Sequence, residues 1–166
     1  MDYRDERATQ ARDYGLELAV GAKLKTAGFD VSFGEGGDLS VRFKGRQVFL
    51  ECKRPQTLGK LESRVRKAHR QLGQRYEQAE DPKTCRGIVA ISATKMINAE
   101  ARRVRVDSWP ELAATIDTLS DRFIAAHNHR WVRADDPRTI GALIEFRFMA
   151  WVCDRAATAG NLVADT

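Results

Sequence analysis

The chain has 166 residues, which is enough for one domain with a sizeable core. Lysine and arginine total 28 against 23 acidic residues, and the resulting net charge of +5 favours a polyanionic partner without requiring one. Three cysteines without framework spacing argue against a disulfide scaffold and favour reduced thiols in the cytoplasm. The apolar stretch 140–153 contains Glu145 and Arg147 and is too short to cross a bilayer, so we expect no membrane partner.

The first predicted element is a helix over about 8–27 that ends at Gly28. Its apolar stripe is formed by Leu16, Val20, Leu24 and Ala27. Glu17 lies on or beside this inward face, where a carboxylate needs a partner. Two interpretations follow: a boundary residue paired with an arginine, or a functional acid. A short strand at 29–33 and a glycine-rich loop then lead to Asp38.

The segment after this loop is predicted to be a β-hairpin. Apolar residues alternate along both arms, namely Val41, Phe43, Val48 and Leu50. If Lys44-Gly45 is a two-residue loop, Phe43 faces Arg46 and, counting outward, Asp38 lies opposite Glu51. A bulged turn would shift this register by one residue.

The second arm of the hairpin ends in the triplet Glu51-Cys52-Lys53. Side chains two apart on a strand point to the same face, so Glu51 and Lys53 project together and Cys52 points away. Opposed residues have Cβ atoms about 4.5–5.5 Å apart, so the Asp38 and Glu51 carboxylates would repel each other unless a cation lies between them. A hard divalent ion with oxygen ligands, Mg²⁺ or Mn²⁺, would resolve that conflict.

A long helix is predicted over about 58–79, with an apolar stripe on one face. Its other face carries Lys60, Arg64, Arg66, Lys67, Arg70 and Arg75, and is either a solvated surface or a surface that contacts phosphates. Residues 87–92 indicate an interior strand buried on both faces, and 104–106 a short edge strand. Ser108 is predicted to cap a helix that runs to about His127. A last helix, capped by Asp136 and apolar around most of its circumference, is expected to reach Val152.

The ordered set of a helix with Glu17, a strand, Asp38, a hairpin and Glu51-x-Lys53 resembles the PD-(D/E)XK, or restriction-endonuclease-like, nuclease superfamily. The resemblance implies an α/β fold with an αβββαβ mixed-sheet core over about 10–95. The chain would then be a single nuclease domain, 1–166, with a C-terminal helical extension over about 108–157.

The resemblance also implies roles for these residues. Asp38 and Glu51 would ligate Mg²⁺, for which Mn²⁺ substitutes, together with the backbone carbonyl of Cys52. Glu17 would act through a bound water or a second ion. Lys53 would orient or help to deprotonate the attacking water and offset charge on the phosphate. The residues expected to contact nucleic acid are Arg54, Lys60, Arg64, Lys67, Arg70, Lys95, Arg102 and Arg103.

The expected function is therefore metal-dependent hydrolysis of phosphodiester bonds in DNA, with structure-selective or weak sequence specificity. Three alternatives remain open: a non-cleaving nucleic-acid-binding module on the same fold, a nuclease that cuts RNA, and a structural α/β protein that assembles through its final helix. That apolar helix is also where we expect a second copy of the chain to bind if the protein is a homodimer.

Overall fold

The structure is a computed structural model that describes residues 3–34, 39–98, 100, 103–128, 136–147 and 149–153. Its helices are α1 (Tyr3–Thr26), α2 (Leu58–Gln78), α3 (Thr94–Ile97) and α4 (Trp109–His127). Its strands are β1 (Asp30–Phe33), β2 (Leu39–Phe43), β3 (Arg46–Lys53), β4 (Arg86–Ser92), β5 (Val104–Val106), β6 (Thr139–Glu145) and β7 (Ala150–Val152). None of the described helices combines the length and apolar composition needed to cross a membrane.

A mixed five-stranded sheet, in the order β1-β2-β3-β4-β6, forms the centre of the α/β fold. Strands β1, β2 and β3 pair antiparallel, whereas β3, β4 and β6 pair parallel. The first six elements follow the predicted order αβββαβ. A separate two-stranded sheet pairs β5 with β7 in parallel. Because parallel strands run in one direction, the C-terminal ends of β3, β4 and β6 lie at the same edge of the main sheet.

The hairpin between β2 and β3 has the predicted two-residue turn. Lys44 and Gly45 both have positive φ, 49° and 76°, as a hairpin turn of this length requires. The register pairs Phe43 with Arg46 and continues to Leu39 opposite Leu50, which confirms the counting made from the sequence. Asp38, whose predicted position opposite Glu51 depends on this register, lies outside the described residues.

Helices cover both faces of the sheet. One face packs against α1 through an apolar cluster that contains Leu16, Val20, Val48, Leu50 and Cys52. The other face packs against α2 through a second cluster that contains Leu61, Val65, Ala68, Leu72, Tyr76, Val89 and Ile91. Alternate residues of one strand therefore enter different cores, as the two-residue period of a strand requires. This arrangement decides which helix each side chain of β3 meets.

Helix α2 lies very close to strand β4. A Cβ atom added at Gly87 would collide with the Tyr76 hydroxyl, so glycine is needed at this position. The same hydroxyl is 2.9 Å from Oγ1 of Thr139 in β6, and burial raises the pKa of Tyr76. The guanidinium of Arg138 lies over the Tyr76 ring at 4.5 Å and also pairs with Glu77, so this end of α2 is firmly attached to β6.

The predicted start of α4 is confirmed. The Ser108 side chain accepts a hydrogen bond from the Glu111 N–H at 3.3 Å, and the Glu111 carboxylate accepts one from the Asp107 N–H at 2.7 Å. These two bonds satisfy backbone donors that a helix N-terminus leaves without partners. The helix ends at His127, as expected from the sequence.

The predicted final helix is wrong, because the apolar residues after 138 form two strands, β6 and β7. Asp136 does not cap a helix; its carboxylate instead accepts a hydrogen bond from the Arg138 N–H at 3.0 Å. The expected helical extension is thus reduced to α4, and β6 belongs to the main sheet. A homodimer through a C-terminal helix accordingly loses the surface on which that expectation rested.

Candidate active site

Strand β3 carries the central pair of the candidate site. Cys52 faces the α1 cluster and Phe49 faces the α2 cluster, so Glu51 and Lys53 project toward α2. The predicted geometry, with these two side chains on one face and Cys52 on the other, is confirmed. Glu51 is 2% exposed and Lys53 is 5% exposed, so both ionisable groups are buried. Burying a charged group is costly unless it is paired with an opposite charge, so each of these two side chains needs a partner.

Lys53 binds two oxygen atoms of its own strand. Its Nζ atom donates to Oε2 of Glu51 at 2.7 Å and to the backbone carbonyl oxygen of Cys52 at 3.0 Å. These are two of the oxygens that the family resemblance assigns to a metal ion. In this structure the Lys53 ammonium occupies both of these oxygens.

Arg75 of α2 completes this charge cluster. Its Nη2 atom is 2.5 Å from Oε1 of Glu51, and its side chain is 12% exposed. Within the described ranges no donor is aligned with Oε1, so the contact with Arg75 is an ion pair rather than an aligned hydrogen bond. Glu51 therefore lies between two cationic side chains, one from its own strand and one from the facing helix.

The sequence did not predict that Arg75 contacts Glu51, because its pattern assigned Arg75 to the basic face of α2, interpreted as either a solvated surface or a surface that contacts phosphates. The signal that could have identified it is Glu51 itself. A carboxylate predicted to face a buried helix surface requires a cation from that helix, and Arg75 adjoins the buried Tyr76. Gln71 lies one turn earlier on the same side, and its Oε1 atom is buried without a hydrogen-bond partner in the described part of the chain.

Glu17 is half-buried on α1, beside the face that packs on Cys52. It therefore approaches β3 from the side of the sheet opposite to α2. Burial is the main cause that raises the pKa of the Cys52 thiol to about 12, and the negative charge of Glu17 is the next. Glu17 is thus close enough to β3 to affect Cys52, and its predicted place beside Glu51 stays a prediction.

A group of three or more acidic, histidine or cysteine side chains able to hold a metal ion is absent from the described ranges. The predicted set of three carboxylates includes Asp38, which lies outside those ranges. The described residues therefore supply the Glu51 carboxylate and the Cys52 carbonyl as candidate ligands, and the predicted metal site is not tested beyond these two.

The residues expected to contact nucleic acid differ in position and exposure. Lys60, Lys67 and Arg70 are exposed along α2, whereas Arg64 is half-buried on the same helix. Arg54, directly after β3, and Lys95, in α3 after β4, are half-buried at the edge where the parallel strands end. Arg103 is exposed before β5, and Arg102 lies outside the described residues. Three of these residues, Lys60, Lys67 and Arg70, are thus exposed on α2, the helix from which Arg75 reaches Glu51.

Cysteine labelling provides a direct test of the burial of Cys52, which has no exposed surface. Because burial raises the pKa of its thiol to about 12, its thiolate fraction at pH 8 is far below that of an ordinary thiol. We expect maleimide to modify the half-exposed Cys153 far faster than Cys52 in the native protein, as measured by peptide mass spectrometry. This burial would be contradicted if maleimide modified Cys52 and Cys153 at equal rates in native buffer and if denaturant did not make the modification of Cys52 faster.

A scan against protein-family models and searches of curated proteins and of solved structures find no match to this chain.

Proposed function

We propose that this protein is a metal-dependent nuclease that hydrolyses phosphodiester bonds in DNA, on a restriction-endonuclease-like fold. The observation that carries the proposal is the buried contact between Glu51 and Lys53 on one face of β3, at the end of the strand. The element order αβββαβ and the mixed sheet are what such a fold requires, and they support the proposal further.

The side chains present have the chemistry that phosphodiester hydrolysis needs. Glu51, the Cys52 carbonyl and Asp38 would hold Mg²⁺ or Mn²⁺, with Glu17 acting through a water. The bound ion would supply Lewis-acid stabilisation of the charge on the phosphate. Lys53 carries a positive charge that can face the developing negative charge and orient an attacking water. In the structure its ammonium is hydrogen-bonded to the Glu51 carboxylate and the Cys52 carbonyl, so an ion bound to these oxygens would displace the ammonium and leave it available for the phosphate.

The exposed basic side of α2 supports a polyanionic substrate. Charges that contact phosphates bind the backbone whatever the base sequence, so we propose structure-selective or weakly sequence-specific cleavage. The same contacts would serve RNA equally well. RNA cleavage therefore stays an alternative.

The double Lys60→Ala, Lys67→Ala protein tests this surface, because both residues are exposed on α2 and seven positions apart. If each contacts a phosphate, its DNA affinity should fall and the slope of log K against log salt should become shallower by about 1 per contact. The measurement is a fluorescence-anisotropy titration at several salt concentrations. Lys25→Ala, an exposed lysine on α1, is the control. An unchanged slope in the double variant would show that the α2 surface does not bind the backbone.

A substrate panel tests the proposed activity. The purified protein would be incubated with supercoiled, linear, single-stranded and branched DNA and with RNA, each with Mg²⁺, Mn²⁺ or EDTA. We expect ion-dependent cleavage that leaves 5′-phosphate ends and is lost in Asp38→Ala. Inactivity of the natural sequence on every substrate with both ions would refute the nuclease proposal.

A non-cleaving nucleic-acid-binding module is the second candidate. It is favoured by one observation: both oxygens of Glu51 already contact cations of the chain. In that case the panel would show binding of DNA without cleavage, and replacing Lys53 would leave the protein as inactive as before.

A further inference from the structure

The small sheet formed by β5 and β7 has one covered face and one open face. Its register pairs Arg105 with Trp151 and Val106 with Val152. Because side chains alternate along a strand, Arg105 and Trp151 project from one face, whereas Val104 and Val106 project from the other. Val106 is 4% exposed, so the valine face is the covered one. Arg105 and Trp151 therefore lie side by side on the open face.

This open face combines exposed apolar groups with positive charge. Trp151 and Met149 are each 62% exposed, and Arg103 and Arg105 are exposed as well. The Val104 N–H donates to the Met149 carbonyl oxygen at 2.9 Å, which continues the pairing to Arg103 and Met149, the residues directly before the two strands. Neither strand contributes an acidic side chain. We call Arg103, Arg105, Met149 and Trp151 the Arg/Trp face.

The composition of the Arg/Trp face indicates the class of its partner. Two arginines without an acid on the same strands attract an anion, and an exposed tryptophan offers a flat ring for stacking. Each nucleotide of a single strand carries both matching groups, a phosphate for an arginine and a base for the ring. In a duplex the faces of the bases are covered by their neighbours, so a base would have to leave the stack before it could contact Trp151.

We propose that the Arg/Trp face binds an unpaired nucleotide of single-stranded nucleic acid. The base stacks on Trp151, Arg105 pairs with its phosphate, and Arg103 contacts a neighbouring phosphate. The inference rests on the proposed function for the choice of nucleic acid as the ligand, but it requires neither a bound ion nor the residues around Glu51. It deepens that function by naming unpaired nucleotides, as at ends and branch points, as a part of the substrate that the protein recognises.

The first test is the binding of a labelled single-stranded DNA oligonucleotide to the full chain, measured by fluorescence anisotropy in EDTA so that ion-dependent cleavage does not occur. Trp151→Ala should bind it about 5- to 100-fold more weakly, the usual cost of losing one stacked base. Trp151→Phe keeps an aromatic ring and should retain most of the affinity. Trp109→Ala is the matched control, because Trp109 is 65% exposed and belongs to α4 rather than to this sheet. It should bind the oligonucleotide as tightly as the natural sequence does.

The charge of the face is tested by the salt dependence of the same binding. Arg105→Gln should make the slope of log K against log salt shallower by about 0.7, the value for one phosphate contact on a single strand. Trp151→Ala should leave the slope unchanged, because stacking releases no counterion. Arg122→Gln removes an exposed arginine of α4 and is the control for this measurement. Circular dichroism verifies that each variant is folded, as we expect for exposed side chains.

A blunt duplex of the same length and a single-stranded RNA of the same sequence complete the experiment. Trp151→Ala should bind the duplex as tightly as the natural sequence does. A loss of affinity for single-stranded DNA and RNA alike would support stacking on any unpaired base, and a loss for one of them alone would support it and identify the nucleic acid. Unchanged affinity of Trp151→Ala for both single strands, or an equal loss for the duplex, would overturn the inference.

The outcomes distinguish this inference from the proposed function. If Trp151→Ala shows the expected loss but the natural sequence cleaves no substrate with either ion, the nuclease proposal is refuted and the single-strand site stands. If the natural sequence cleaves DNA but Trp151→Ala binds single strands at full affinity, only the single-strand site is overturned. Sedimentation of Trp151→Ala provides a further check, since conversion of a dimer to a monomer would show that the Arg/Trp face contacts a second copy of the chain and would overturn the inference.

Discussion

Replacing Lys53 by alanine is expected to lower the rate of DNA cleavage at least about 100-fold, the usual cost of removing one preorganised group that stabilises transition-state charge. The substitution removes the ammonium 2.7 Å from Glu51, whereas Arg75 continues to neutralise that carboxylate. The protein should therefore remain folded. The measurement is single-turnover cleavage with Mg²⁺, together with a thermal melt.

Lys83→Ala is the control for this experiment. Lys83 is an exposed lysine in the turn before β4, and the turn uses its backbone groups rather than its side chain. The Lys83→Ala protein should cleave DNA at the rate of the natural sequence. Retention of full activity by Lys53→Ala would show that the reaction, if present, does not use the candidate site. Loss of activity together with unfolding would point instead to a structural role for this lysine.

Replacing Leu72 by alanine is expected to reduce the free energy of unfolding by about 2–5 kcal/mol, the usual cost of truncating a buried leucine. Leu72 has no exposed surface and belongs to the cluster between α2 and the sheet. Its Cδ2 atom lies 3.0 Å from where a Cβ atom on Gly87 would be, so it packs into the space that this glycine leaves open. Urea unfolding followed by circular dichroism measures the loss.

Leu58→Ala is the matched control on the same helix, because Leu58 is 43% exposed at the start of α2. We expect it to cost under about 1 kcal/mol, since less apolar surface is returned to water. Equal losses for Leu58→Ala and Leu72→Ala would mean that the apolar stripe of α2 does not form the principal core. A stability change in Leu72→Ala without a change in Mn²⁺ affinity would also separate packing from the charge cluster around Glu51.

The failure to predict β6 from the sequence has an identifiable cause. A short apolar run such as 139–145 fits a buried strand and a buried helix equally well by period. The need for a further strand could have been inferred from β4, because the sequence predicted that β4 lies in the interior of the sheet. The buried N–H and C=O groups of an interior strand need partners on both sides, and β3 supplies only one side. A second strand was therefore required, although the sequence did not indicate which segment supplied it.

Local physical chemistry determined much of this protein from the sequence alone. The hairpin register follows from alternating residues and a turn with two positive φ angles, and the shared face of Glu51 and Lys53 follows from the two-residue period of a strand. Tertiary structure decided the remainder: that β6 completes the sheet, that α1 and α2 cover opposite faces, and that Arg75 reaches Glu51. These depend on contacts between residues distant in the chain, whose partners are set by which surfaces remain to be buried and which charges remain to be neutralised.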